Sequence, residues 1–188
     1  VSKTFPIKIF LPLVEYGHKH FGENKVQEAL EKWPDIKLKY NDINLHLIGK
    51  LQTNKVKFIL PLVDYIHSVD SLKLAEKISE EQKKKDFKPK IFIQINIENE
   101  QQKSGISINN ADEFIKICKN KLNLDIIGIM CIPPNDGKHK HYFKIMKSLK
   151  DKFKLSELSM GMSNDYLDAL DSGSSFIRVG SKIFGQRS

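Results

Sequence analysis

Short apolar runs alternate with longer amphipathic stretches from one end of the chain to the other. Eight runs read as strands: 1–4, 20–23, 45–49, 65–69, 90–96, 125–131, 157–161 and 176–180. Several are apolar at successive positions, the pattern of parallel strands covered on both faces. Helical stripes lie between them. Val26, Ala29, Leu30 and Trp33 repeat at helical spacing, as do Val56, Ile59, Leu60 and Val63, and Phe114, Ile115, Cys118 and Leu122 make a third stripe. Pro61 is expected to shorten the second of these helices and Pro12 to interrupt the first helix of the chain. Asp70 and Ser71 are candidate N-caps for the helix carrying Leu74, Ala75 and Ile78. Strand and helix alternating in this way predict one α/β domain over residues 1–188, a (β/α)8 TIM barrel, with a doubly wound open sheet as the alternative. The 188 residues fall just short of the roughly 200 usual for such a barrel. The chain also begins inside a strand and without methionine, so a leading helix is expected ahead of Val1.

Composition narrows the class. With 40% hydrophobic and 29% charged residues the chain reads as a folded, soluble domain. No apolar run approaches the roughly 20 residues of a membrane helix, and nothing at the N-terminus resembles a signal peptide, so the expected place is the cytoplasm, with no membrane partner. Cys118 and Cys131 fit neither a disulfide framework nor a zinc ribbon. The formal charge of +8 raises the question of nucleic acid. Among the 31 basic residues, however, only Arg178 and Arg187 are arginines, and lysines such as Lys77, Lys83 and Lys84 are interleaved with Glu76, Glu80 and Glu81. That is the pattern of a solvated helix face, so no nucleic-acid partner is expected. The Lys138-His139-Lys140-His141 tract resembles a metal tract superficially but sits in a Lys-rich loop, and no metal is assigned.

Candidate chemistry gathers at the ends of the predicted strands, where a (β/α)8 barrel places its site. Ser159-Met160-Gly161-Met162-Ser163 follows the seventh strand and Arg178-Val179-Gly180-Ser181 the eighth, each leading into a helix. Gly admits close backbone approach and Ser adds a hydroxyl, so two such turns on adjacent strands would form a phosphate cup. Alternation puts Arg178 on the face opposite Ile177 and Val179, inside the barrel; a structural ion pair with a core carboxylate is the plainer reading. Lys3 ends the first strand, where desolvation and nearby positive charge would lower its amine pKa and suit it to Schiff-base formation; a snorkelling surface lysine is the plainer reading. Asn24 is either a ligand to a bound oxygen or a helix N-cap. His46 and His67 read as satisfied interior histidines.

Together these segments resemble the pyridoxal-phosphate homeostasis (YggS/PROSC) family, related to the N-terminal barrel of alanine racemase. The resemblance runs through Val1-Ser2-Lys3-Thr4, Phe21-Gly22-Glu23-Asn24, His46-Leu47-Ile48-Gly49 with Leu51-Gln52-Thr53-Asn54-Lys55, and His67-Ser68-Val69-Asp70-Ser71. It continues through Lys103-Ser104-Gly105-Ile106, Gly128-Ile129-Met130, Ser159-Met160-Gly161-Met162-Ser163 and Arg178-Val179-Gly180-Ser181. It implies that Lys3 carries pyridoxal 5'-phosphate (PLP) as a Schiff base and that Arg178 faces the pyridine nitrogen. Ser163, Gly180 and Ser181 would hold the phosphate, with Asn24 and Met130 around the ring. An arginine there disfavours protonation of the ring nitrogen and weakens the ring as an electron sink. The implied function is a PLP-binding homeostasis protein without turnover of its own, a monomer that hands PLP to apo-enzymes. Lys103 is a candidate second aldehyde-reactive amine, with surface charge the plainer reading. The chain departs from the family pattern at Phe5, Pro12 and Ser181. The alternatives are a PLP-dependent amino-acid racemase, whose second acid/base residue would come from a further domain that is not expected here, and a Schiff-base aldolase.

Overall fold

A computed structural model describes residues 1–100 and 103–185; Arg187 lies outside them. The elements follow in the order α1 (Ile7–Glu15), β1 (His20–Glu23), α2 (Val26–Lys39), β2 (Asn44–Leu47), α3 (Val56–Ile59), β3 (Tyr65–Val69), α4 (Leu72–Lys85) and β4 (Lys90–Asn96). After these come β5 (Ile106–Ser107), α5 (Ile108–Lys116), β6 (Asp125–Met130), α6 (His139–Lys152), β7 (Glu157–Met162), α7 (Tyr166–Asp171), β8 (Phe176–Arg178) and α8 (Ser181–Phe184). The strands pair in parallel along the path β1-β2-β3-β4-β6-β7-β8, and β5 adds to β4 through Ile95 and Ile106.

The expected first strand is not one. Residues 1 and 2 lie between the two ends of the path, where the Val1 nitrogen donates to Val179 O at 2.7 Å and the Ser2 amide to Gly22 O at 3.0 Å. Thr4 then takes a left-handed φ of 68° and turns the chain toward Pro6, the N-cap of α1. This two-residue segment bridges β8 to β1 and closes the (β/α)8 barrel, so Lys3 stands on a turn rather than at the end of a paired strand.

Other departures have local causes. Pro12 sits inside α1 without interrupting it, because the helix is short and its last turns close through Tyr16 N to Pro12 O and His18 N to Leu13 O. Pro61 does limit its helix: a 3-10 turn at Thr53–Lys55 runs into α3, which stops at Ile59. Ser71 caps α4 by accepting from the Leu74 amide. The third stripe is broken by a π-helical stretch, Ile117–Lys121, which leaves Leu122 beyond the helix. The short β5 carried no alternation to predict it.

Two apolar layers result. The larger packs the outer faces of the strands against the helices and includes Phe10, Trp33, Leu45, Ile66, Ile93 and Phe143. The smaller fills the barrel itself with Tyr65, Phe92 and Met130, flanked by Ile127 and Phe176.

Candidate functional site

The turn carrying Lys3 is held by residues of β1 and α2. Glu23 ends β1 wholly buried, and its Oε1 accepts from Ser2 Oγ at 2.8 Å, from Trp33 Nε1 at 3.1 Å and from Lys32 Nζ at 3.3 Å. Lys32 Nζ also donates to Ser2 O at 3.1 Å and pairs with Glu28 at 2.6 Å, one helical turn away. Glu28 in turn accepts from the Thr4 amide. Lys3, half-buried, is therefore carried between two anchored residues. Burial raises the Glu23 carboxyl above its ordinary value, against the pull of Lys32, Trp33 and Ser2. Its second oxygen, Oε2, is buried with no hydrogen-bond partner among the described residues.

Arg178 does point into the barrel, as strand alternation predicts, while Ile177 faces outward. Its Nη1 donates to Ser159 O at 3.0 Å and to Ser159 Oγ at 2.9 Å, and its Nη2 donates to Cys131 O at 2.8 Å. Backbone and hydroxyl oxygens, rather than the core carboxylate of the plainer reading, are thus its partners. Those bonds engage three of its five donors and aim a permanent charge across β6, β7 and β8. Cys131 lies against this charge, yet burial pushes its thiol up to about 12.

Around the same end of the barrel, Ser181 Oγ donates to Ser163 Oγ at 3.0 Å, bringing the turns after β7 and β8 together. Gly180 is buried beside Val1, where an added Cβ would lie 3.0 Å from Val1 O. The end of β7 itself needs glycine at 161: φ is +93° and a Cβ there would lie 2.5 Å from Ala169 Cβ in α7. The segments carrying Lys3, Ser163, Gly180 and Ser181 thus touch one another at the C-terminal mouth, and Arg178 closes β8 two residues before Gly180. Asn24 follows β1 at the same mouth, against Gly49; it is not an N-cap, since Lys25 takes that position without a side-chain bond. Met130 ends β6 fully buried against Tyr65 and Phe92, so it forms part of the floor.

The sequence reading did not find Glu23, Lys32 or Trp33 as contributors, and Ser159, expected in a phosphate turn after the seventh strand, lies inside β7 and accepts from Arg178. Glu23 gave a faint signal, as a carboxylate closing an otherwise apolar run. His46 and His67 are interior histidines with both nitrogens partnered. The fold also gives His139 and Lys140 a carboxylate that lies far off in sequence, Asp168, at 2.8 and 3.2 Å. Among the described residues no cluster of metal-ligating side chains occurs, and no helix is long and apolar enough to cross a membrane.

A closed parallel barrel with its polar groups at the strand ends defines the class, and the family model for the N-terminal domain of alanine racemase matches residues 7–188. Within that class, the relatives that match the whole chain are named pyridoxal phosphate homeostasis protein. That of Aquifex aeolicus is 35% identical over 99% of this chain and 85% of its own length, and that of Escherichia coli K12 is 32% identical over 100% and 84%. The chain belongs to the pyridoxal phosphate homeostasis protein family. Among solved structures, PipY of Synechococcus elongatus PCC7942 superposes with TM-scores of 0.91 without PLP and 0.89 with PLP bound, at 31% identity over 98% of this chain and 90% of that one. An alanine racemase of Clostridium difficile 630 shares the fold alone, with a TM-score of 0.75 at 18% identity, covering 98% of this chain and 51% of that one.

Proposed function

We propose that this chain binds PLP at the barrel mouth and serves intracellular PLP homeostasis, holding the cofactor and releasing it without turning over a substrate. The observation that carries this is the convergence of the Lys3 turn, the Ser163–Ser181 hydroxyl pair and Arg178 at one end of the barrel. The donor set fits the ligand: an amine for an aldehyde, hydroxyls and a close backbone for a phosphate ester, and a guanidinium for a ring nitrogen. PipY, a close structural neighbour, has been solved with PLP bound.

When bound, PLP supplies an electrophilic aldehyde and an electron-withdrawing ring. The chain's own residues do the rest. Lys3 offers the amine, held in place by the bonds on Ser2 and Thr4. Ser163, Gly180 and Ser181 would hold the phosphate, with Asn24 and Met130 around the ring. Arg178 cannot give up its proton, so toward a bound ring it would donate to the ring nitrogen and leave that atom unprotonated. Such a ring is poorly suited to carbanion chemistry, which supports a carrier over a racemase. The single barrel domain spans residues 1–188, works as a monomer in the cytoplasm, and passes PLP to apo-enzymes that depend on it.

Visible absorption of PLP-loaded protein before and after borohydride, followed by peptide mapping, tests the reading. The reduced adduct is expected on Lys3 and absent in Lys3→Ala. A label elsewhere overturns the site, and amino-acid racemisation that disappears in Lys3→Ala overturns the carrier.

A further inference from the structure

Beneath the mouth, the barrel holds an unbroken line of polar side chains that runs to its opposite end. Arg178 Nη1 reaches Ser159 Oγ at 2.9 Å, Ser159 Oγ lies 2.8 Å from His67 Nδ1, and His67 Nε2 lies 2.9 Å from His46 Nδ1. His46 Nε2 then lies 2.9 Å from His20 Nδ1, at the start of β1. His46, His67, Ser159 and Arg178 are buried, whereas His20 is exposed. The imidazoles are also fixed as rings: His46 stacks on Tyr65 at 4.2 Å and His67 on Phe92 at 4.3 Å. The line therefore connects solvent at the N-terminal end of the barrel with the guanidinium at the C-terminal end.

We infer that Ser159, His67, His46 and His20 form a one-directional hydrogen-bond relay, with every imidazole in its Nε2–H tautomer, and that the relay positions Arg178 for the bound ring. The role toward the ring rests on the proposed PLP site; the direction of the relay does not.

The direction follows from donor and acceptor accounting. A guanidinium only donates, so Ser159 Oγ accepts from Arg178. The hydroxyl then has one proton left to place, and His67 Nδ1 is the acceptor beside it. Were His67 to donate instead, the Ser159 proton would be buried without an acceptor among the described residues, which is costly. His67 thus accepts at Nδ1 and donates from Nε2 to His46 Nδ1. His46 repeats the step toward His20 Nδ1, and the last Nε2–H belongs to the exposed ring. Every interior bond is made with three neutral rings. No proton need enter the barrel, and any imidazolium in the line would set two donors against each other.

The same accounting makes Ser159 a fixed acceptor. Its hydroxyl is committed to His67, so its remaining lone pair always faces Arg178. Ser159, His67 and His46 act on the ligand only through that guanidinium and are positioning residues.

Long-range 1H–15N correlation on the histidine-labelled full chain without PLP reads the tautomers directly. His67 and His46 are expected as Nε2–H, with Nδ1 unprotonated, at pH 7 to 8. An Nδ1–H or a charged ring at either position overturns the relay. Direction is tested by variants: Ser159→Ala is expected to turn a single tautomer at His67 into a mixture, while His20→Ala leaves His67 unchanged. The opposite asymmetry overturns it. Arg178 and Arg187 are the sole arginines, so the side-chain Nε signal of Arg178 can be followed. Rotation of its guanidinium is expected to speed up about tenfold in His67→Phe, the effect of losing one hydrogen bond's worth of constraint. No change there removes the positioning role. Because none of these measurements needs PLP, a wrong cofactor assignment shows separately, as a borohydride label away from Lys3.

Discussion

Gly49 leaves no room for a side chain. A Cβ there would stand 2.3 Å from Asn24 O and 2.8 Å from Asn24 Cα. Neither side can yield easily, because Ile48 N donates to Glu23 O at 2.9 Å and Gly49 O accepts from Ser68 Oγ at 2.6 Å. Gly49→Ala is therefore expected to lose about 1–3 kcal/mol of stability and to displace Asn24. Denaturant titration and PLP titration check this, and an unchanged midpoint with full affinity would count against the close approach. Residues of this kind differ in how far the sequence reveals them. Arg178 was legible, since a lone arginine between apolar neighbours on a strand must face the interior. Glu23 was not, because its role depends on Ser2, Lys32 and Trp33 meeting around one oxygen, and neither spacing nor propensity encodes that meeting.

Elements with many similar residues were the easiest to read. The strands rich in Ile, Leu and Val lie where the pattern puts them, and α4 carries the expected lysine–glutamate ladder, with Lys77 paired to Glu80 and Glu81 at 2.8 and 2.9 Å, although Glu81 is buried rather than solvated. Short elements escaped. β5 has two residues, and the closing segment 1–2 owes its place to bonds from β1, β8 and α2 rather than to its own pattern. The hold of α2 on that segment is testable. Removing Lys32 leaves the Glu23 carboxylate buried and uncompensated, while Glu28 loses its i,i+4 partner. Lys32→Met is expected to cost about 3–5 kcal/mol. Adding Glu23→Gln to it should restore part of the loss, since no buried charge is then left unpaired. Faster hydrogen exchange at the Ser2 and Thr4 amides would show that the loss is felt at the Lys3 turn. If the single variant unfolds no more easily than the parent, α2 does not hold the closing segment.

On the scale of the molecule, the buried histidine line makes the barrel sensitive to acid. Burial, helped by His20 and Lys37, lowers His46 from its ordinary 6.5 to about 3. Burial, with His46 and Arg178 adding to it, puts His67 well below 6.5. Partial burial, with His18 and Lys90 adding to it against Asp64, also lowers His20. A base with a depressed folded pKa binds fewer protons in the folded state, so stability is full above about pH 6.5 and is lost as pH falls toward the folded values. Each buried histidine contributes a slope of about 1.4 kcal/mol per pH unit within that window, so His46 and His67 together give about 2.8. The thiols act at the other end. Burial pushes Cys118 and Cys131 up from 9.0 to about 12, so the folded state keeps protons that the unfolded chain releases, and stability falls as pH rises above 9. Glu23, raised by burial, favours folding below the ordinary carboxylate range and loses that contribution as pH rises through its folded value, so it works against the histidines in acid. Burial also lowers the Val1 amine from 8.0 to about 6, so the window that results is full only from about pH 8 to 9, with an acid side that steepens below 6.5. Urea unfolding at pH 8, 6 and 5 measures it, and His67→Phe should remove about half of the acid slope while leaving the alkaline side unchanged. An acid slope that survives in a chain carrying both His46→Phe and His67→Phe would place the acid sensitivity outside the barrel interior.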